Sequence, residues 1–124
     1  MTAPQPHTLV MSLLARDLDQ TRRFYELLGF EQCGESVGWL EMRLGSATLQ
    51  FYLDAPVGTP SEPSLSGTIY VHVDDIGPLH EALKELIAFE WGPELMEYDM
   101  REFAVRDPNG YLLAFADRKK GDDG

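Results

Sequence analysis

The sequence predicts an α+β protein in which two βαβββ modules follow one another. Strand, helix and hairpin patterns occur in the same order twice, and the 124 residues suit one core. A hydrophobic share of 44% is enough to build that core. We expect a curved mixed sheet around a concave pocket, with the helices on the outer face. The modules are predicted at 7–54 and 67–117, with a linker at 55–66 and a flexible tail at 118–124.

The first module opens with a strand and a helix. Residues 8–14 alternate between apolar and polar side chains, as a strand with one buried face does. Asp17 or Asp19 then caps a helix that carries Leu18, Phe24, Leu27 and Leu28 at helical spacing. Gly29 stands where a left-handed residue ends such a helix.

The rest of the first module alternates with period two again. The pattern predicts strands at 39–44 and 47–53, joined by a tight turn, with a further short strand at 30–33. Residues 54–66 contain three prolines and little that packs, which is typical of a linker.

The second module repeats this order. Residues 68–73 form a strand, and Asp75 caps a helix that carries Ile76, Leu79, Leu83, Leu86 and Ile87, with Pro78 in its first turn. Strands at 102–106 and 111–116 flank the turn Asp107-Pro108-Asn109-Gly110. The segment before them, which holds Trp91 and Tyr98, is predicted to be a loop.

Alternation assigns the strand residues to two faces. The uniformly apolar face is expected to cover the helices and comprises Leu9, Met11, Leu13, Leu40, Met42, Leu44, Leu49, Phe51, Leu53, Ile69, Val71, Val73, Phe103, Val105, Tyr111, Leu113 and Phe115. The opposite face mixes aromatic and polar side chains, which favours a ligand cavity over a solvated surface. With Trp91 from the predicted loop, the candidate ligand-binding residues are Trp39, Glu41, Arg43, Gln50, Tyr52, Tyr70, His72, Trp91, Glu102 and Arg106.

Charge and cysteine content restrict the partners. The net charge of −11 disfavours binding to nucleic acid and to anionic membranes. No apolar run approaches the length of a membrane span, and the first residues do not resemble a secretory signal. Cys33 is the only cysteine, so no internal disulfide forms. We expect a cytoplasmic protein whose partner is a small molecule.

Two motifs carry a family resemblance. Arg16-Asp17-Leu18, followed by Phe24-Tyr25-Glu26-Leu27-Leu28-Gly29-Phe30, resembles the strand-to-helix opening of the vicinal oxygen chelate superfamily of glyoxalases, bleomycin-resistance proteins and extradiol dioxygenases. The segment from Glu102 to Gly110 resembles its closing hairpin, most closely in the bleomycin-resistance branch. The resemblance covers about residues 8–117.

In metalloenzymes of that superfamily, four inward side chains hold a divalent metal. The matching positions here are Val10, Gln50, Thr68 and Ala114. Valine and alanine have no lone pair to offer, and threonine is a poor ligand. The resemblance therefore implies a binding protein without metal, cofactor or catalytic residues. Whether the chain is an enzyme stays open, because Gln50, His72, Glu41 and Glu102 offer a relocated ligand set.

The metal-free members that the chain resembles sequester a bulky cationic aromatic antibiotic in the cleft of a homodimer. By that resemblance Trp39, Tyr52 and Tyr70 stack on the ligand, Glu41 and Glu102 pair with its charge, and Trp91 and Tyr98 form the rim. Arg43 and Arg106 on the same face could instead neutralise the glutamates and suit a neutral or anionic ligand. Two further alternatives are a metal-dependent lyase or dioxygenase and a non-catalytic interaction module whose aromatic residues only pack.

Overall fold

A computed structural model describes residues 2–54 and 57–118. These residues form two helices and eight strands. In chain order the elements are β1 (Val10–Leu14), α1 (Leu18–Leu27), β2 (Glu31–Ser36), β3 (Trp39–Leu44), β4 (Ala47–Tyr52), β5 (Thr68–His72), α2 (Gly77–Leu83), β6 (Trp91–Leu95), β7 (Met100–Arg106) and β8 (Leu112–Arg118). The chain divides into two compact units, Met1–Pro63 and Ser64–Gly124, which contain the first and the second predicted module respectively.

Each module contains one four-stranded mixed sheet. The strand order is β1-β4-β3-β2 in the first module and β5-β8-β7-β6 in the second. In both, the initial strand pairs in parallel with the last one, and the other pairings are antiparallel. The predicted α+β class and the duplicated βαβββ topology are confirmed. Neither helix in the described part of the chain is long and apolar enough to cross a bilayer.

Helix α1 begins at the first of its two candidate caps. The Asp17 carboxylate accepts a hydrogen bond from the Gln20 N–H at 2.9 Å, and Gly29 follows the helix with a φ of +99°. Of the four apolar residues at helical spacing, Leu28 is buried, Leu18 and Phe24 are half-buried and Leu27 is 45% exposed, whereas the fully buried ring of this helix is Tyr25. The Tyr25 ring packs against those of Phe30 and Phe51, at centroid distances of 5.3 and 5.0 Å.

Helix α2 is short, and its N-cap residue is Ile76, so the prediction of Asp75 at that position was wrong. The Asp75 carboxylate still accepts a hydrogen bond from the Gly77 N–H at 2.8 Å. The buried Asp117 in β8 accepts one from the Ile76 N–H at 2.7 Å, which ties the start of the helix to the sheet. Leu86 and Ile87, predicted to belong to this helix, lie beyond its end, and Leu86 is 61% exposed.

The apolar faces form the core of each module. Buried members are Leu13, Leu40, Met42, Leu49 and Phe51 in the first module and Ile69, Phe103, Val105, Tyr111, Leu113 and Phe115 in the second. Leu9 and Leu53 were wrongly placed in that core. They lie just outside β1 and β4 and are exposed.

Among the helices and strands of the described residues, only strand β6 was not predicted from the sequence. It pairs with β7 around a bulge that contains Gly92 and Pro93, and this Gly-Pro pair is what made the segment resemble a loop. Gly92 has a φ of +82°. A Cβ there would collide with the Glu102 carbonyl oxygen and lie 2.8 Å from the Phe103 Cα, so the close approach of β6 to β7 requires glycine.

The predicted linker and tail are only partly described. Residues 57–66 form neither helix nor strand, and Arg118 is the last residue of β8. Residues 55, 56 and 119–124 lie outside the described part of the chain.

Candidate functional site

The four positions that match metal ligands of the superfamily form two equivalent pairs, with one member of each pair in each module. Val10 and Thr68 are the first residues of the parallel pairings, and Gln50 and Ala114 lie at the same register in β4 and β8. Their side chains do not fit a divalent metal, since only Gln50 and Thr68 carry an oxygen and neither is charged. No catalytic step through a metal at these positions follows.

The relocated ligand set is divided between the modules. Glu41 lies directly opposite Gln50 across β3 and β4 of the first module. In the second module His72 and Glu102 lie on either side of Ala116. Within residues 2–54 and 57–118, no group of three or more His, Cys, Asp or Glu side chains could hold a metal ion.

The first module brings five of the predicted site residues onto neighbouring strands. Trp39 of β3 lies opposite Tyr52 of β4, and both side chains are half-buried. Arg43, which lies near the end of β3, is exposed. The tip of the Trp39 ring lies 3.0 Å from where a Cβ of Gly34 would stand, so the indole covers the β2 backbone at a glycine.

A polar cavity of about 330 Å³ also belongs to the first module. It lies among α1, β2 and β3 and is lined by Leu18, Asp19, Arg22, Gln32, Glu35, Ser36, Trp39 and Leu40. The Arg22 guanidinium in its wall pairs with Asp19 and with Glu26. Trp39 is the only predicted site residue in this wall.

In the second module three aromatic side chains converge on one carboxylate. Glu102 in β7 is 2% exposed and accepts hydrogen bonds from the Tyr98 hydroxyl at 2.6 Å, the Tyr70 hydroxyl at 2.7 Å and the Trp91 indole N–H at 2.9 Å. Both hydroxyls donate to Oε1 and the indole donates to Oε2. We call Tyr70, Trp91, Tyr98 and Glu102 the aromatic carboxylate cluster.

The cluster keeps Glu102 ionised. Burial acts to raise the pKa of Glu102, but the hydrogen bonds from Tyr98, Tyr70 and Trp91 outweigh it and leave the pKa below its ordinary value. The phenols respond in the opposite direction. Burial, then the hydrogen bond to Glu102, raises the pKa of Tyr70, and the bond to Glu102 also raises the pKa of Tyr98.

The exposed surface of the cluster is aromatic. Tyr70 is 41% exposed and Tyr98 is 51% exposed, although the carboxylate that orients them is buried. The His72 ring packs edge-on against Tyr70 with a centroid distance of 5.1 Å. The alanines on this face of β7 and β8, at positions 104, 114 and 116, are also buried. A ligand that approaches Glu102 therefore meets aromatic rings first.

The arginines of β7 are directed away from the cluster. Arg101 donates to Asp117 through Nε at 3.1 Å and Nη2 at 2.6 Å, and also to Asp75 at 3.1 Å. Arg106 lies 3.6 Å from Glu90 and donates to the Gly110 carbonyl at 2.9 Å. In the described part of the chain, Arg106 therefore forms no ion pair with Glu102, contrary to the alternative in which it neutralises that glutamate.

Of the ten predicted site residues, the structure joins Tyr70, Trp91 and Glu102 through hydrogen bonds and adds Tyr98, which the sequence placed only at the rim. One signal for Tyr98 was available. A lone glutamate among the apolar residues of β7 requires donors, and Tyr98 is four positions away. The turn that returns Tyr98 to Glu102 places Asp99 in the left-handed region at a φ of +64°, which the pattern did not indicate.

Two successive βαβββ modules of the same topology, with aromatic and polar side chains on one sheet face, are typical of an α+β protein of the vicinal oxygen chelate class. The sequence matches the family model of the Glyoxalase/Bleomycin resistance protein/Dioxygenase superfamily over residues 5–115. The chain belongs to this superfamily.

Similar proteins place the chain near the bleomycin-resistance branch of this superfamily. A bleomycin resistance protein from Klebsiella pneumoniae is 29% identical over 111 residues, which cover 82% of this chain and 85% of that protein. The bleomycin resistance determinant encoded on transposon Tn5 is similar in structure, with a TM-score of 0.71, 25% identity and coverage of 93% and 100%. A bleomycin-binding protein solved with bleomycin has the same fold, with a TM-score of 0.72, 24% identity and coverage of 92% and 100%.

Proposed function

We propose that this protein binds and sequesters a bulky cationic aromatic small molecule of the bleomycin type, without a protein-bound metal. The observation that carries the proposal is the aromatic carboxylate cluster. Tyr70 and Tyr98 offer exposed ring surface for stacking, and their shared carboxylate fixes their orientation before a ligand arrives. Relatives named for bleomycin binding or bleomycin resistance support the same class of ligand.

Charge favours a cationic ligand. The chain carries 21 acidic and 10 basic residues, a net charge of −11. A negative field of this kind attracts cations and raises their association rate. Sequestration requires no chemistry, because tight binding alone lowers the free concentration of a toxic compound. We place this sequestration of a toxic compound in the cytoplasm. The assembly we propose is a homodimer with two ligand sites.

The test is a tryptophan fluorescence titration of chelator-treated protein with bleomycin. Saturable binding with a dissociation constant of about 1 μM or tighter, roughly −8 kcal/mol, supports the proposal. Tyr98→Ala should weaken binding at least tenfold because it removes stacking surface and one donor to Glu102. Leu86→Ala is the matched control, since it truncates another exposed large side chain outside the aromatic carboxylate cluster.

Two results contradict the proposal. Absence of saturation at millimolar bleomycin would exclude sequestration. Binding that appears only after Ni²⁺, Zn²⁺ or Fe²⁺ is added to the protein would replace the metal-free interpretation with a metal-dependent one. Size-exclusion chromatography with light scattering tests the homodimer separately.

A further inference from the structure

Glu102 carries a buried negative charge with no cationic partner in the described part of the chain. Its three donors are two phenols and one indole, all of them neutral. The basic side chains of the same strand bond elsewhere, Arg101 to Asp117 and Asp75, and Arg106 to Glu90. Proteins usually pair a buried charge with an opposite one, so this arrangement leaves a field without a counter-ion.

The negative electrostatic potential of the Glu102 carboxylate acts on the aromatic rings that donate to it. A phenol or indole that donates to a carboxylate gains electron density in its ring, and the carboxylate adds its own negative potential. Tyr70 and Tyr98 then present electron-rich surface to solvent, since about half of each side chain is exposed. A cation over these rings gains from both contributions.

The oxygens of Glu102 are already occupied. Oε1 accepts from Tyr70 and Tyr98, Oε2 accepts from Trp91, and the whole residue is 2% exposed. A primary ammonium, which needs acceptors for its N–H groups, does not find a free carboxylate oxygen here. A cation whose charge is covered by methyl groups needs no acceptor and interacts well with ring faces.

We propose that Tyr70, Trp91 and Tyr98 form a site for an alkylated organic cation, a quaternary ammonium or a sulfonium group, and that Glu102 is the positioning residue that orients and polarises the rings. The inference rests on the proposed function in that it names the chemical group of the ligand that the second module receives. It is tested with small probes, so that its failure and that of bleomycin binding are separate results.

Three probes that share a hydroxyethyl group separate the contributions; the first two match in size, and the third lacks their methyl groups. Choline carries the quaternary cation, dimethylbutanol replaces its nitrogen by carbon, and ethanolamine carries a primary ammonium. Each is titrated into the full-length protein with Trp39→Phe, so that Trp91 is the only tryptophan reporter. We expect choline to bind about tenfold more tightly than either of the other two, in line with cation–π contacts to several rings.

Two charge variants then assign the preference. Glu102→Gln keeps the size and one acceptor oxygen but removes the charge, so it should reduce the preference of choline over dimethylbutanol to less than about threefold. Glu94→Gln is the control, because it removes the exposed charge directly opposite and should leave that preference within about twofold of the parent value. Circular dichroism checks that each variant folds.

The probe titrations of the Trp39→Phe protein decide the inference by themselves, without a substitution in the aromatic carboxylate cluster. Equal affinity for dimethylbutanol means an apolar site, equal affinity for ethanolamine means an ordinary ion pair, and absence of saturation by choline means no site, so each overturns it. A preference for choline with no binding of bleomycin leaves the inference standing and refutes the proposed function. Bleomycin binding without the choline preference does the reverse.

Discussion

Replacement of Gly92 by alanine should disrupt the cluster from a position that does not belong to it. Gly92 follows Trp91 in the β6 bulge, and an alanine Cβ would lie 2.8 Å from the Phe103 Cα and closer still to the Glu102 carbonyl oxygen. Ordinary contact begins at 3.4 Å, so β6 must retreat from β7 by roughly 0.6 Å or more. Such a retreat would lengthen the 2.9 Å bond from Trp91 to Glu102 toward 3.5 Å, where little of it remains.

The magnitude follows from two contributions. A φ of +82° is strained for alanine by about 1–2 kcal/mol, and loss of a hydrogen bond to a charged group costs about 1.5–3 kcal/mol. We therefore expect Gly92→Ala to lower the free energy of unfolding by about 2.5–5 kcal/mol. Gly38→Ala is the matched control, because Gly38 has a φ of +79° and nothing within 4 Å of the added Cβ. It should cost only the strain, about 1–2 kcal/mol.

Urea unfolding followed by circular dichroism measures both variants. The emission of Trp91 in the Trp39→Phe background reports whether the indole moves. Equal destabilisation of the two variants, within about 0.5 kcal/mol, would refute the argument that backbone contact fixes β6 against β7. An unchanged Trp91 emission in Gly92→Ala would refute the coupling to Glu102.

Two further predictions concern a helix cap and two phenols. Asp17→Ala should cost about 1 kcal/mol of unfolding free energy in urea titrations, because the Gln20 N–H loses its acceptor, and a cost no larger than that of Asp19→Ala would contradict this. Tyr70 and Tyr98 should titrate above the ordinary phenol value of about 10, as followed by ultraviolet absorbance, and Glu102→Gln should lower both pKa values. Since the folded pKa values are raised, the stability they contribute is present below the unfolded phenol pKa and is lost as pH rises through the folded values; unchanged titration in Glu102→Gln would exclude the carboxylate as the cause.

Most of the fold could be predicted because alternation and caps are local signals. The period-two pattern located β3 to the residue, and Gly29 ended α1 as expected. Strand β6 escaped because its bulge contains Gly92 and Pro93, residues that locally favour turns, whereas pairing with β7 decides the outcome. Burial at the ends of strands also depends on neighbours, which is why Leu9 was misplaced.

The candidate site was predictable only as a face of a sheet. Alternation put Tyr70 and Glu102 on one side, but the hydrogen bond between them spans 32 residues of sequence and depends on β8 lying between β5 and β7. Trp91 and Tyr98 reach the carboxylate through a bulge and a left-handed turn, two irregular features that periodicity does not encode.

The repeated register has a consequence for how many ligands one chain accepts. At the positions in the first module that correspond to Tyr70, Trp91 and Glu102 stand Ser12, Gly34 and Trp39. The two backbones are alike, yet the first module has neither the carboxylate nor the phenol at those points. The two modules thus share one strand topology but carry different side chains at these three positions. The stoichiometry expected for an organic cation is therefore one per polypeptide.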